Sequence, residues 1–186
     1  MKVSNLFKGF VAGALAGAAG SWVMNCLVSL HPAPTSARGH GAQSLQPGQP
    51  DHGLGELQRQ DGRPWEHSDE DATERLAEMA RREATGVRST GLEKQTLGKL
   101  VHYAFGASSA AVYGALLEVY PWMSFGYGMG FGTAVWLGAD EGTVPAIGLS
   151  TGPSQQPPSV HLTSFGTHLA YGLTSEFARR QVRRLL

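Results

Sequence analysis

Apolar and small residues run almost unbroken from Leu6 to Leu30, with Lys8 as the one charged interruption. A run of that length crosses a hydrocarbon core of about 30 Å as a single helix. Lys8 stands near its end, where the aliphatic stem can lie along the helix while the ammonium reaches the headgroups. Three further apolar stretches follow, about Leu97 to Tyr120, Phe125 to Leu149 and Val160 to Phe177. Pro121 closes the second, and Gly152-Pro153 with Pro157-Pro158 sets off the loop before the fourth. The pattern predicts an all-α fold, a four-helix transmembrane bundle of antiparallel neighbours. Residues 1–30 hold the first span, and residues 97–186 a three-span bundle with a basic tail.

Residues 31–96, between the first two spans, are a different material, rich in Gly, Pro, Gln and charge. Eight of the 15 basic and eleven of the 15 acidic residues lie there, so this long polar insert belongs in water. Its first part, through Pro64, has no periodicity and reads as disordered or loosely draped. Ser68 followed by Asp71 resembles a capping box with Asp in place of Glu, and Asp69 and Glu70 complement a helix N-terminus. One short amphipathic helix is therefore predicted over about 69–84. Its thin apolar stripe is Ala72, Leu76, Met79, Ala80 and Ala84, suited to the membrane surface or the bundle mouth, and Glu74, Glu78 and Arg82 are spaced for surface pairs.

The small residues are spaced for packing in lipid. Gly9, Gly13 and Gly17 recur every four residues, with Ala12, Ala16 and Ala19 alongside, and Gly126 with Gly130 and Gly128 with Gly132 repeat the spacing. Lipid gives helices no hydrophobic incentive to associate, so close backbone approach at small residues must supply the packing energy. Trp22, Tyr120, Trp122, Phe125 and Tyr127 include interfacial anchors.

Composition agrees once the two populations are separated. Charged residues are only 16% of the 186, against about 25% in an average soluble domain. The 25 glycines exceed the usual share of about 7%. The mean hydropathy of -0.17 averages apolar spans with a polar insert. A formal net charge of zero lacks the electrostatic footprint of a nucleic-acid binder. A single cysteine, Cys26, excludes an intrachain disulfide and any cysteine-only metal cage. A cleaved secretory signal, with Lys2 and Lys8 as its charged region and Thr35-Ser36-Ala37 as cleavage site, is the alternative reading of the N-terminal run. That run is longer than the 7–15 apolar residues such signals use. Arg179, Arg180, Arg183 and Arg184 after the last span, with Lys2 and Lys8 before or early in the first, place both termini in the cytoplasm. The basic residues of the insert pull the other way.

Four acids remain outside the insert: Glu118, Asp140, Glu141 and Glu176, each within or at the end of a predicted span. A central acid costs roughly 2.5–3.5 kcal/mol on insertion scales, so these groups must face protein or water. Counting inward from the loop, Asp140 and His168 are each nine residues deep, about 13 Å at helical rise. An antiparallel hairpin makes them level, with His161 one heptad above His168. A buried polar cluster of Asp140, Glu141, His168, His102 and Tyr103 is predicted near the insert side. A second, of Glu118, Glu176, Arg179 and Arg180, is predicted at the opposite end, where Arg179 or Arg180 pairs with Glu176 or reaches Glu118. Pro145 removes the N–H that would bond the Glu141 carbonyl, which predicts a kink beside both acids or a taper into the loop.

Three meanings stay open for the first cluster. Carboxylate and imidazole side by side in low dielectric suit proton relay or coupled transport. The same atoms can ligate a divalent metal, although no HxxxH or ExxH spacing supports a metal site. Or the network fixes helix register and transports nothing. Gly126-Tyr127-Gly128-Met129-Gly130 lacks the preceding strand and the lysine of a nucleotide loop, and no Gly-x-Ser-x-Gly elbow frames Ser109 or Ser164. No cofactor and no enzyme activity is indicated.

The string His102-Tyr103-Ala104-Phe105-Gly106, Tyr113-Gly114, Glu118, Pro121, Trp136, Asp140-Glu141, Pro145, Gly148-Leu149, His168-Leu169, Tyr171-Gly172, Glu176 and Arg179-Arg180 resembles the YagU-like family of uncharacterised bacterial inner-membrane proteins. The resemblance spans about Leu97 to Arg184 and implies a multi-pass inner-membrane protein with no assigned reaction. The function expected is a small proton- or ion-linked membrane protein that acts in the lipid bilayer, as a homo-oligomer or with a membrane partner. The alternative is a structural or partner-binding membrane protein.

Overall fold

The computed structural model describes residues 3–30, 72–87, 89–150, 154 and 156–186, and these are helical with no strand among them. Helix α1 (Val3–Leu30) is an uninterrupted 28 residues, about 42 Å long. Its buried positions are Gly9, Ala12, Gly13, Ala16, Gly17, Gly20 and Ser21, whereas Phe7 is 68% exposed and Leu15 and Trp22 also point outward. Small residues inside and large apolar ones outside invert the arrangement of a helix in a soluble core.

Helix α2 (Ala72–Thr85) lies within the stretch predicted as amphipathic, with the cap residues Ser68, Asp69 and Asp71 outside the described residues. Ala77 is the buried residue of α2, while Leu76, Met79, Ala80 and Ala84 are exposed. The helix seats tightly on α3 (Gly91–Leu117), where Glu74 lies so close to Gly98 that a methyl there would stand 2.6 Å from its Cγ. The acids serve the joint instead of a surface ladder. Glu78 accepts the Ser89 backbone N–H at 3.0 Å, and Glu93 accepts that of Thr90 at 2.9 Å while pairing with Arg81 at 2.9 Å.

Hydrogen bonds from the Ser89 side chain and backbone hold the Glu78 carboxyl below its usual range. That contribution to the joint is complete at neutral pH and is lost as pH falls through the lowered value. A spin label at Ala84 is expected to gain mobility over that acid window in the wild type and not in Glu78→Gln.

Helix α3 starts at Gly91, six residues before the expected Leu97, because Thr90 and Glu93 form a capping box. It crosses α1 antiparallel along a seam of small residues: Gly9 meets Gly114, Gly13 meets Ala110 and Gly17 meets Gly106. Each step of four up one helix matches a step of four down the other. Two helical segments, Val3–Leu30 and Leu92–Leu117, are long and apolar enough to cross a membrane.

The stretch expected as a single span from Phe125 to Leu149 is not one helix. A 3₁₀-helical turn (Pro121–Gly128) leads into α4 (Met129–Val135), a π-helical segment (Trp136–Thr143) and the short α5 (Val144–Ala146). The break before α4 comes from left-handed backbone at Gly126, Tyr127 and Gly128, with φ of 61°, 57° and 90°. Tyr127 is the costly one, since a left-handed residue with a Cβ is disfavoured by roughly 1–2 kcal/mol. The Arg180 guanidinium lies over its ring at 4.1 Å and offsets part of that cost. Farther along, the Val144 N–H bonds the Ala139 carbonyl and the Thr143 hydroxyl the Gly138 carbonyl, both five residues back. The wide turn directly precedes Pro145, whose missing N–H ends the regular ladder.

Helix α6 (Pro158–Leu185) covers the fourth predicted span and continues through the arginines. It packs antiparallel on α4 through a second glycine seam, where Gly128 meets Gly172, and a methyl on Gly132 would stand 3.0 Å from the His168 carbonyl carbon. The predicted Gly128–Gly132 pair thus forms a seam. Gly126 and Gly130 do not, because Gly126 belongs to the turn and Gly130 packs beside Phe125. On its other flank α6 meets α1 at Gly20, beside Ser175 and Tyr171. Tyr113, Phe131 and Tyr171 stack between α3, α4 and α6, and Tyr171 donates a 2.6 Å hydrogen bond to the Gly106 carbonyl. The segments α1, α3, α4 with its π continuation, and α6 therefore alternate in direction.

Candidate functional site

The buried face of α6 is polar along its length: Thr167, His168, Tyr171, Gly172, Ser175 and Glu176. Its opposite face carries Leu162, 72% exposed, with Leu173 and Phe177. Against the start of this polar face the π-helical segment presents two neighbouring acids. Asp140 accepts a 2.6 Å hydrogen bond from Ser164 and stands 3.8 Å from Nδ1 of His168. Glu141 stands 2.6 Å from Nδ1 of His161. His168, 6% exposed, has the same Nδ1 2.9 Å from the Ser164 carbonyl, which orients the ring.

The sequence-predicted residues Asp140, Glu141 and His168 are thus brought to one place. His102 and Tyr103 stand edge to face on α3, ring centroids 5.9 Å apart. Two partners were outside the predicted cluster, His161 and Ser164. The glycine seam, Gly128 on Gly172 and Gly132 on His168, continued evenly would set Asp140 level with Val160, and the wider π-helical turn leaves it one turn of α6 short of that, on Ser164.

A cleft of ≈ 190 Å³ opens beside these groups, bounded by Asp140, Glu141, His161 and Ser164 on the polar side and by Ala72, Val144, Pro145 and Val160 on the apolar side. Ser150 and Gln156 complete it, and Arg75 donates to the neighbouring Leu149 carbonyl at 2.8 Å. Among the described residues no three His, Cys, Asp or Glu side chains are grouped to hold a metal ion.

The second cluster lies at the other end. Glu176, 0% exposed, takes both nitrogens of the Arg179 fork at 2.9 Å and Nε of Arg180 at 2.6 Å, and faces the Tyr113 hydroxyl. Glu118 pairs with Arg183, at 2.7 and 3.1 Å, rather than with Arg179 or Arg180. The reason is helix geometry: Arg179 and Arg180 lie one turn from Glu176 on the same helix, and Arg183, one turn farther, reaches the end of α3. Lys8 reaches the Leu186 carbonyl at the same end.

A sequence model of the family described as a protein of unknown function (DUF1440) matches residues 75–177. No curated protein and no solved structure matches the chain. The matched residues run from α2 through most of α6 and include Asp140, Glu141, His161, Ser164, His168, Glu118 and Glu176, so the chain belongs to the DUF1440 family of proteins of unknown function.

Proposed function

We propose that the chain is a four-pass protein of the bacterial inner membrane, in keeping with its YagU-like resemblance, with both termini cytoplasmic. In this reading the Asp140–Glu141–His161–Ser164–His168 cluster is the site of a proton- or ion-linked activity. The observation that carries it is the disposition of α6. Thr167, His168, Tyr171, Ser175 and Glu176 face inward while Leu162, Leu173 and Phe177 face outward, so much of its low average hydropathy reflects what it carries inside the bundle. On α1 the large apolar residues Phe7, Leu15 and Trp22 likewise face outward, over a buried face of small residues. The bilayer then surrounds α1, α3, α4 with the π-helical segment, and α6. Two carboxylates facing imidazole and hydroxyl groups on a π-helical turn supply groups able to exchange protons, and such turns concentrate at functional sites. His102 and Tyr103 belong to the same proposed cluster, and Glu118, Glu176, Arg179 and Arg180 close the opposite end.

Reconstitution into liposomes holding a pH-sensitive dye tests the reading. Wild-type vesicles are expected to pass protons, with or without a co-ion, at least tenfold faster than Asp140→Asn vesicles. Flux equal to that of empty vesicles under every ion gradient removes it. A second reading rests on the partners both acids already have, Ser164 and His161. On that view the cluster only locks the α4–α6 register, and Asp140→Asn lowers thermal stability with no flux to lose.

A further inference from the structure

The cleft beside Asp140 has a composition that selects one chemical class of ligand. Glu141 is engaged by His161 at 2.6 Å, whereas Asp140, 41% exposed, accepts from the neutral Ser164 hydroxyl and keeps further acceptor positions toward the cleft. Asp140 thus brings a carboxylate to the cleft, with the His168 ring 3.8 Å away and Arg75 bonded to the neighbouring Leu149 carbonyl. Val144, Pro145 and Val160 give the same cleft apolar lining.

A small hard cation fits this setting poorly. It takes about six oxygen ligands, and among the described residues no three His, Cys, Asp or Glu side chains are grouped to hold a metal ion. A primary ammonium needs only two or three acceptors and brings its own apolar body. The space of ≈ 190 Å³ exceeds the roughly 150 Å³ of an engineered cavity that holds benzene, so an alkyl chain of a few carbons fits beside the head.

We infer that the cleft between the π-helical segment and the start of α6 binds a small organic monocation, with its ammonium on Asp140 and its hydrocarbon part on Val144, Pro145 and Val160. This rests on the reading of the cluster as an ion-linked site and names the class of its substrate.

Calorimetric titration of the full chain in nanodiscs, with empty nanodiscs subtracted, provides the test. The probes are n-butylammonium, methylammonium and the neutral 1-butanol. On the wild type, n-butylammonium is expected to bind at least tenfold more tightly than either of the others, and Asp140→Asn is expected to cost at least tenfold. The probe comparison needs no variant, so misfolding of Asp140→Asn cannot decide it. Equal affinity for n-butylammonium and 1-butanol, or for n-butylammonium and methylammonium, overturns the inference. The liposome assay separates the two claims. Proton flux without ammonium discrimination removes the organic cation and leaves the ion-linked reading. Selective ammonium binding without any flux retains the site and removes the activity.

Discussion

Gly13→Ala is expected to destabilise the bundle by about 2 kcal/mol or more, near the upper part of the range for overpacking a close-packed contact. The added methyl overlaps the Ala110 carbonyl oxygen and stands 2.8 Å from its carbon and 2.9 Å from the Ala111 Cα. All three are backbone atoms, so no side chain can turn aside. Relief requires the α1 and α3 axes to separate, which also parts Gly9 from Gly114 and Gly17 from Gly106. The measurement is thermal unfolding in detergent micelles, followed by the loss of monodisperse protein. Gly166→Ala provides the contrast on the same assay. Nothing lies within 4 Å of the added carbon there, and replacing a helical glycine by alanine gains up to about 1 kcal/mol. A Gly13→Ala protein as stable as the wild type would mean that the seam does not hold α1 to α3.

Glu176→Gln is expected to have a still larger effect, about 3–5 kcal/mol, the usual cost of removing one partner from a buried ion pair. The Glu176 side chain is fully buried and neutralises two guanidiniums, Arg179 and Arg180, of which Arg179 is nearly buried itself. Glutamine keeps the shape and one acceptor but removes the charge, so two cations remain at the helix end with Glu118 already bound to Arg183. The loss should be largest in a lipid nanodisc, where less water is at hand to resolvate the guanidiniums. Arg180→Gln should cost less, because Arg180 is about one-third exposed and Arg179 still satisfies Glu176. Equal losses for Glu176→Gln and Arg180→Gln in thermal unfolding would contradict this ordering.

Much of this arrangement was legible in the sequence, and what was missed has a common cause. The Gly9, Gly13 and Gly17 spacing announced a close helix crossing, and its partners Gly106 and Gly114 sit at compatible spacing on α3. The sequence also set Asp140, Glu141 and His168 near one level, because an antiparallel hairpin brings equal depths together. Equal depth presumes that both helices rise evenly, and the third stretch does not. Its left-handed turn at Gly126 to Gly128 and its π-helical segment shift the level of every residue beyond them. Ser164 and His161 consequently took the places that counting gave to His168. On α2 hydrophobicity marked Leu76 and Met79, which are exposed, while the buried residue is the small Ala77 and the stem of Glu74 lies against Gly98. Average hydropathy likewise hid α6, whose buried residues Thr167, His168, Tyr171, Ser175 and Glu176 are polar while Leu162, Leu173 and Phe177 are exposed.

The π-helical segment has a consequence for how firmly the acids are aimed. A turn closed on the fifth residue holds one residue more than a turn closed on the fourth, and each residue sweeps about 100° around the axis. If Trp136–Thr143 tightened to ordinary α geometry while α4 stayed on its glycine seam, Asp140 and Glu141 would swing by about that angle, away from Ser164 and His161. A change of hydrogen-bond partner by a single residue within this segment would redirect both carboxylates together and turn the short α5 that follows them.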